Sequence, residues 1–135
     1  MAVQQTLTTQ AKLIALQALA TGTLKMALYT ANADLNAGTL VYTTSNEIVG
    51  TGYTAGGNTL TNVTVLTSDT TAYLDFDDVV WNPAAFTTRG ALIYNTSLSN
   101  LAVAILDFGA DKTATTTFTV QTPANTATAA LIRFA

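Results

Sequence analysis

The chain has 135 residues, a length typical of one domain. It contains no cysteine and no histidine, which excludes disulfides, thiolate nucleophiles, histidine-based catalytic triads and histidine-ligated zinc or haem. Only 10% of its residues are charged, against a usual share of about 25%, and the net charge is −3. Since nucleic-acid binding depends on clustered lysine and arginine, we expect no nucleic-acid partner.

The composition favours a β-rich protein whose surface is polar but uncharged. The chain has 28 threonines, a β-branched residue that favours strands, and 23 alanines. A surface with few ions costs little to desolvate, and charge depletion is typical of interface cores. We therefore favour a domain that packs against partners. The alternative is a threonine-rich β domain without such a role.

The N-terminal segment, residues 4–20, has the apolar spacing of a helix, and Gly22 follows it as a C-cap. The residues that share one narrow arc of this helix are Leu7, Ala11, Ile14 and Ala18. Its other leucines point to other sides, so the helix is apolar nearly all round. It either covers one end of the β domain or lies between subunits. Its apolar stretch is too short for a membrane span, which needs about 20 residues.

After residue 22 the apolar period changes to two, which predicts strands. The predicted strands are Leu24–Leu28, residues 59–67 with a bulge between Leu60 and Val63, Ala72–Phe76, Arg89–Asn95, Leu101–Phe108, Thr115–Val120 and Ala129–Phe134, with at most a short strand near Leu40–Thr43. The pair Arg89–Asn95 and Leu101–Phe108 flanks a short polar loop and predicts a hairpin. Its second strand is apolar on both faces, which predicts a central strand.

We therefore predict a mainly β fold, an antiparallel β-sandwich or barrel of about eight short strands with one N-terminal helix. Residues 1–22 form the helical segment and residues 23–135 the β-sandwich domain.

Residues 31–57 form a long connection rich in asparagine and glycine. Its glycine cluster, Gly50–Gly57, lacks the lysine of a P-loop and no helical pattern follows it, so we expect a loop whose glycines adopt positive φ. Loops of this length usually have a role, and this one holds Glu47, the single glutamate of the chain. We predict that Glu47 lies in a contact loop for a partner. The alternative is that the loop covers one end of the sandwich.

The acidic side chains offer the other candidate chemistry. Asp75, Asp77 and Asp78 carry oxygen ligands that suit calcium, and the first two share a predicted strand face. The calcium-loop motif is absent, however, and exposed strand aspartates commonly prevent edge pairing. A pair of carboxylates could in principle hydrolyse a glycoside, but the sequence shows no accompanying sign of a substrate cleft. We therefore expect no catalytic, cofactor-binding or metal-binding residues and no enzyme activity.

Four stretches of the β domain, taken in order, resemble a known family. They are Lys25–Thr30 (KMALYT), Asn46–Gly57 (NEIVGTGYTAGG), Phe86–Asn95 (FTTRGALIYN) and Ala104–Gly109 (AILDFG). Together they resemble a family of small virion structural proteins of tailed bacteriophages, over about residues 23–135. The N-terminal segment carries no motif of that family. Some members are regarded as capsid decoration (cement) proteins, others as tail or fibre components.

The resemblance implies a non-enzymatic structural protein without cofactors. It implies the major capsid protein as a partner, a place on the outer surface of the capsid in the virion, and synthesis in the host cytoplasm. No membrane partner is expected. The alternatives are a tail, neck or baseplate component, or a carbohydrate-binding adhesion module that would expose Trp81 and some of the tyrosines.

The helix supplies most of the predicted interface. The candidate interface residues are Leu13, Ile14, Leu16, Leu19 and Glu47. The four apolar ones cannot all face one sandwich, and burying each contributes about 1.5–3 kcal/mol, so we expect sister copies or the capsid to cover them. A homotrimer is favoured, because threefold symmetry matches local threefold capsid sites, and a dimer is the alternative. Deletion of residues 1–21 is then expected to leave a folded β domain with weaker association.

Overall fold

The structure is a computed structural model that describes residues 3–123 and 129–134. It confirms a mainly β fold with one N-terminal helix and antiparallel sheets, consistent with a β-sandwich. The helix α1 spans Thr9–Leu19, and a short 3₁₀ helix spans Thr96–Leu98. The strands are β1 Leu24–Tyr29, β2 Asn58–Thr59, β3 Thr64–Ser68, β4 Thr71–Asp75, β5 Val79–Trp81, β6 Phe86–Asn95, β7 Leu101–Ala114, β8 Phe118–Val120 and β9 Ile132–Phe134. The described residues thus contain nine strands, against the predicted eight or so.

The strands form three sheets. The largest has the order β2-β1-β6-β7, the second β3-β4-β9, and the third pairs β5 with β8. In the four-stranded sheet β1 pairs with β6 along its whole length, from Leu24 opposite Asn95 to Tyr29 opposite Gly90. The predicted hairpin of residues 89–108 is present as β6 and β7.

The main core draws residues from all three sheets. The period-two pattern of β1 turns Met26 and Leu28 toward this core, and β4 contributes Ala72 and Leu74 in the same way. Its large, nearly inaccessible side chains include Phe76 and Trp81. Burial of this set stabilises the fold by removing apolar surface from water.

The opposite face of the four-stranded sheet is buried as well. A second apolar cluster lies there, formed by Ala27, Tyr29, Leu92 and Tyr94. The loop of residues 31–57 packs over it through Ala33, Leu35 and Tyr42. This sheet is therefore covered on both faces, which explains why β1 and the second half of β6 are buried almost without interruption.

Two strand predictions were wrong in detail. The predicted strand 59–67 is two strands, because Asn62 adopts a left-handed φ of 53° and separates buried Leu60 from β3. The phase slip in the sequence marks a break rather than a bulge. Leu101–Phe108 was predicted to be central, but β7 lies at the edge of its sheet. Its second apolar face is partly covered by the loop instead of by a further layer.

Candidate functional site

Glu47 lies at the centre of a hydrogen-bonded cluster within the loop of residues 31–57. Its Oε1 accepts a hydrogen bond from the Tyr42 hydroxyl at 2.6 Å. Its Oε2 accepts from the Tyr53 hydroxyl and from the backbone N–H of Gly56, the latter at 2.7 Å. Tyr94 on β6 donates in turn to the carbonyl oxygen of Gly56 at 2.7 Å. One carboxylate therefore joins three parts of the loop and, through Gly56, the sheet.

Further bonds fasten this cluster to β1. The backbone N–H of Leu28 donates to the Tyr53 hydroxyl at 3.0 Å, and the N–H of Ile48 donates to the Leu28 carbonyl at 3.1 Å. The Tyr42 ring stacks on Tyr94, with ring centroids 4.6 Å apart. The loop is thus tied to the sheet by side chain and backbone together.

The glycine cluster of the loop allows this close approach. Gly57 has a φ of 77°, and a Cβ placed there would lie 1.7 Å from the carbonyl oxygen of Met26. Gly52, with a φ of 84°, approaches the carbonyl of Pro83 equally closely. Positive φ was predicted for these glycines and is confirmed there. The stretch that resembled a phosphate-binding loop is a packing segment.

The tyrosines of the cluster keep their protons, and so remain hydrogen-bond donors, over the whole physiological pH range. Burial raises the pKa of Tyr29, Tyr42 and Tyr53 above their ordinary value near 10, and the negative charge of Glu47 raises them further. The pKa of Tyr94 is raised by the same two causes. The arrangement holds protonated hydroxyls against a carboxylate, and its effect is to fix the loop.

In this placement Glu47 binds its own chain, because both carboxylate oxygens accept hydrogen bonds from the loop. Its contact with a partner stays a prediction. The alternative of a covering loop fits the geometry, with the difference that the loop covers an outer face of the four-stranded sheet. Tyr42 and Tyr53, the two tyrosines that donate to Glu47, were not predicted. Their position within six residues of the single glutamate is the signal that could have indicated them.

The helix α1 covers part of the sandwich and packs on β3 and β4. Thr8 caps its N-terminus by accepting from the Ala11 N–H at 3.2 Å. Lys12 is buried, and its Nζ donates to the carbonyl oxygen of Thr70 in the β3–β4 turn at 2.7 Å. Leu16 is 3% exposed and belongs to the main core. The helix is therefore attached by an apolar and a polar contact.

A buried asparagine holds the C-terminal end of α1. Asn95, at the end of β6, is fully buried, and its Nδ2 donates to the carbonyl oxygens of Leu19 and Thr21 at 2.8 and 2.7 Å. Its Oδ1 accepts from the N–H of Ser97 at 2.8 Å. All of its donor and acceptor groups are thus used, which explains why this polar side chain is buried.

The four apolar interface candidates have different surroundings. Leu16 was predicted at an interface, and this is corrected because its side chain lies in the core of its own chain. Leu13 and Leu19 are half-buried, and Leu19 packs against the same core. Ile14 is 56% exposed. Leu16 fills the core and Asn95 binds the end of the helix. We therefore no longer expect a chain that lacks residues 1–21 to fold.

The arc seen in the sequence points away from the core. Leu7 and Ile14 are both exposed, Ala18 is exposed, and Ala11 is half-buried. Lys12 is the one charged residue among residues 3–20, and its ammonium group faces Thr70. The outward surface of this segment therefore carries apolar and amide or hydroxyl groups without a charge.

Two of the three aspartates considered as calcium ligands serve structural contacts. Asp77 lies beyond the end of β4 and accepts from Thr61 and Asn62, while Asp78 accepts from the N–H of Thr122 at 2.8 Å. Among the described residues no group of three or more acidic, histidine or cysteine side chains comes together around a possible ion.

The single tryptophan is not available as an exposed platform for a sugar. Trp81, which a carbohydrate-binding module would expose, is 2% exposed and lies in the main core against Tyr53 and Phe118. Tyr29 and Tyr94 are buried. A concavity of about 540 Å³ is lined by Phe108, Phe118 and other mostly apolar residues, and contains no histidine or cysteine.

Comparisons with protein-family models, with curated proteins and with solved structures find no match for this chain. The described part of the chain contains no helix that is long and apolar enough to cross a membrane. The four stretches singled out in the sequence are located as follows. KMALYT covers most of β1, NEIVGTGYTAGG contains Glu47 and Tyr53, FTTRGALIYN forms β6, and AILDFG lies in β7.

Proposed function

We propose that the chain is a non-enzymatic virion structural protein of a tailed bacteriophage, a capsid decoration protein that binds and stabilises the assembled head. One observation carries this proposal beyond the resemblance of the motifs. The outward surface of residues 3–20 is apolar or neutral, because the single charged side chain of this segment, Lys12, is turned inward.

Such a surface favours association with another protein. Val3, Leu7 and Ile14 are exposed side chains whose full burial would contribute about 1.5–3 kcal/mol each. Few ions need to be stripped of water when a partner covers them. Half-buried Leu13 and Leu19 extend this surface toward the sandwich. Its partners in this proposal are the major capsid protein and sister copies, with a homotrimer favoured and a dimer as the alternative.

The internal polar groups support a structural role rather than catalysis. Glu47 accepts three hydrogen bonds from its own chain, and the tyrosines around it stay protonated. The covering loop is tied to β1 and β6, so the body offers a partner a fixed surface. A fixed surface suits a protein that binds an assembled lattice, because little conformational entropy is lost on binding.

Occupancy on purified phage heads tests the proposal. Heads that lack the protein are incubated with the purified chain, and bound copies are counted by quantitative gel analysis and located by electron microscopy. We expect saturation at the symmetry-related sites of the head lattice.

Ile14→Asp is expected to lower occupancy, whereas Leu98→Asp, at an exposed leucine of the 3₁₀ helix, serves as the matched control. Binding confined to the tail would replace this proposal with a tail component, and equal occupancy of both variants would remove the role of α1.

The stabilising role has its own test. A ligand that binds the assembled state alone raises its stability by mass action. Heads without the protein are therefore expected to assemble and to release DNA at a lower temperature than decorated heads. Failure of heads to assemble without it would contradict the decoration role.

A further inference from the structure

We propose that residues 3–7 of one copy add as an extra β-strand to the open edge of β7 in a second copy. This inference concerns self-association and stands whether or not the chain is a virion protein. It rests on an unpaired strand edge, on two concavities beside that edge, and on an exposed uncharged segment of matching length.

The acceptor is the part of β7 from Val103 to Asp107. One edge of β7 pairs with β6. At the start of the other edge the loop supplies two backbone bonds, from Ala102 N–H to the Leu40 carbonyl and from the Tyr42 N–H to the Asn100 carbonyl. From Val103 onward no strand among the described residues pairs with this edge. Unpaired backbone groups on such an edge are a template for another strand.

Beyond Asp107 the edge is interrupted. The pairing with β6 shifts register between Asp107 and Lys112, and Gly109 there has a φ of 81°. A second shift in the pairing with β6 leaves Val103 without a partner between Ala102 and Ala104. The acceptor stretch is therefore about five residues long, with Val103 in a bulge at its start next to the loop contact, and with the irregularity after Asp107 at its end.

Two concavities lie between the loop and β7, one on each side of Ile105. The first, about 360 Å³, is lined by Asn36, Ala37, Thr39 and residues 102–105. The second, about 240 Å³, is lined by loop residues such as Ala33 and Leu35, by Tyr29 of β1, by residues 89–90 of β6 and by residues 105–107 of β7. Ile105 is 38% exposed and lines both of them.

The donor segment is unpaired in its own chain. Residues 3–8 are all exposed and belong to neither helix nor strand. Val3 is fully exposed and Leu7 is 47% exposed. Thr8 is engaged as the N-cap of α1, which leaves residues 3–7 for pairing. This segment contains no charge and no proline, so nothing in it opposes a strand.

The alternation of the donor suits the two concavities. In an extended chain residues four apart point to the same side. Val3 and Leu7 therefore lie on one side of the segment, with Gln5 between them, and can enter the concavities on the two sides of Ile105 while Gln5 lies beside Ile105. Asp107 is paired with Arg89, with Nε and Oδ1 3.4 Å apart, so docking leaves no unpaired carboxylate under the added strand.

A second copy is the favoured source of this strand. In its own chain α1 packs on β3 and β4, in a different sheet from β7, and the segment that precedes it is exposed throughout. Donation from copy to copy is a head-to-tail contact that closes into a ring such as a trimer, while mutual exchange between two copies gives a dimer.

Cysteine cross-linking tests the inference without background, because the chain contains no cysteine. Two variants of full-length chain that differ in tag mass, Gln5→Cys and Ile105→Cys, are co-expressed and oxidised mildly, and the mixed disulfide is identified by mass spectrometry. The matched control replaces Ile105→Cys with Leu98→Cys, since both positions are 38% exposed. A docked strand raises the local thiol concentration, so we expect at least about tenfold more mixed disulfide with position 105 than with position 98.

Equal cross-linking at positions 105 and 98 would overturn the inference. The double variant Gln5→Cys, Ile105→Cys, oxidised in dilute solution, separates the two possible donors. If it forms the disulfide within monomers and no mixed species appears, the segment docks on its own chain and exchange between copies is refuted. Light scattering gives an independent readout: Leu7→Asp is expected to lower the solution mass, and an unchanged oligomer with that variant would refute the role of the segment.

Discussion

Replacement of Glu47 with alanine is expected to destabilise the fold, even though Glu47 lies in a long loop. The side chain accepts three hydrogen bonds, from Tyr42, Tyr53 and the Gly56 N–H. Removing it leaves these donors without their acceptor at the place where the loop meets β1 and β6. A residue whose role is contact with a partner would tolerate the same change without loss of stability.

The magnitude follows from the number and surroundings of these bonds. A hydrogen bond to a charged group contributes about 1.5–3 kcal/mol when buried, but Glu47 and Tyr42 are half-buried, so water can replace part of each bond. We take about 1 kcal/mol for each, a total of about 3 kcal/mol. For a chain of this size that corresponds to a fall in Tm of roughly 12 °C. Glu47→Gln keeps one acceptor oxygen and is expected to lose about half as much free energy.

Urea unfolding followed by tryptophan fluorescence measures the loss, since Trp81 lies in the main core. Asp111→Ala is the control, because it removes the same charge from an exposed position. A second readout is spectrophotometric titration of the tyrosines. Because the charge of Glu47 raises the pKa of Tyr42 and Tyr53, the alanine variant should ionise them at lower pH than the parent chain does. A loss no larger than that of Asp111→Ala, with unchanged tyrosine titration, would refute the argument.

Three further changes test the placement of α1 and of the tyrosines. Leu16→Ala should cost about 2–5 kcal/mol in urea unfolding and Ile14→Ala less than about 0.5 kcal/mol, and equal losses would contradict their assigned burial. Asn95→Ala should cost about 1–3 kcal/mol and lower hydrogen-exchange protection at the end of α1, and unchanged protection would show that Asn95 does not hold the helix. The urea midpoint should stay constant between about pH 7 and pH 10 and fall above pH 10. Tyrosines of the unfolded chain ionise near pH 10, whereas burial and Glu47 raise the pKa of the folded chain's Tyr29, Tyr42, Tyr53 and Tyr94, so alkaline pH favours the unfolded chain. A midpoint unchanged up to about pH 11 would contradict this.

The alternation of apolar and polar residues predicted those strands in which it continues without a break. β1, β4 and the β6–β7 hairpin were correctly located, because alternation of apolar and polar residues depends on neighbours in sequence. The position of β7 within its sheet was not, because strand order depends on which distant segments pair. An apolar stretch on both faces fits a central strand and also fits an edge strand that a loop partly covers.

The Glu47 cluster shows that side-chain contacts between distant parts of the chain are equally hard to predict from local sequence. Glu47 was correctly selected as unusual, as the single glutamate in a glycine-rich loop. Its partners come from the same loop and from β6, and Tyr94 reaches it through Gly56 across 38 positions of sequence. No local pattern indicates that contact, so the residue was identified and its role was not. Leu16 is a similar case, because an all-round apolar helix does not show which of its sides meets the sheets.

The distribution of charge connects the fold to the proposed association. The single lysine of the N-terminal segment is buried against Thr70, and Glu47 is enclosed by tyrosines of its own chain. Both charges, which would otherwise have to be desolvated when a partner binds, are instead satisfied inside the chain. What remains outside along α1 and residues 3–7 is neutral, and the one charge of the open stretch of β7, Asp107, is paired with Arg89. Association through these surfaces is therefore expected to depend little on salt, whereas a contact made through Glu47 would weaken as ionic strength rises.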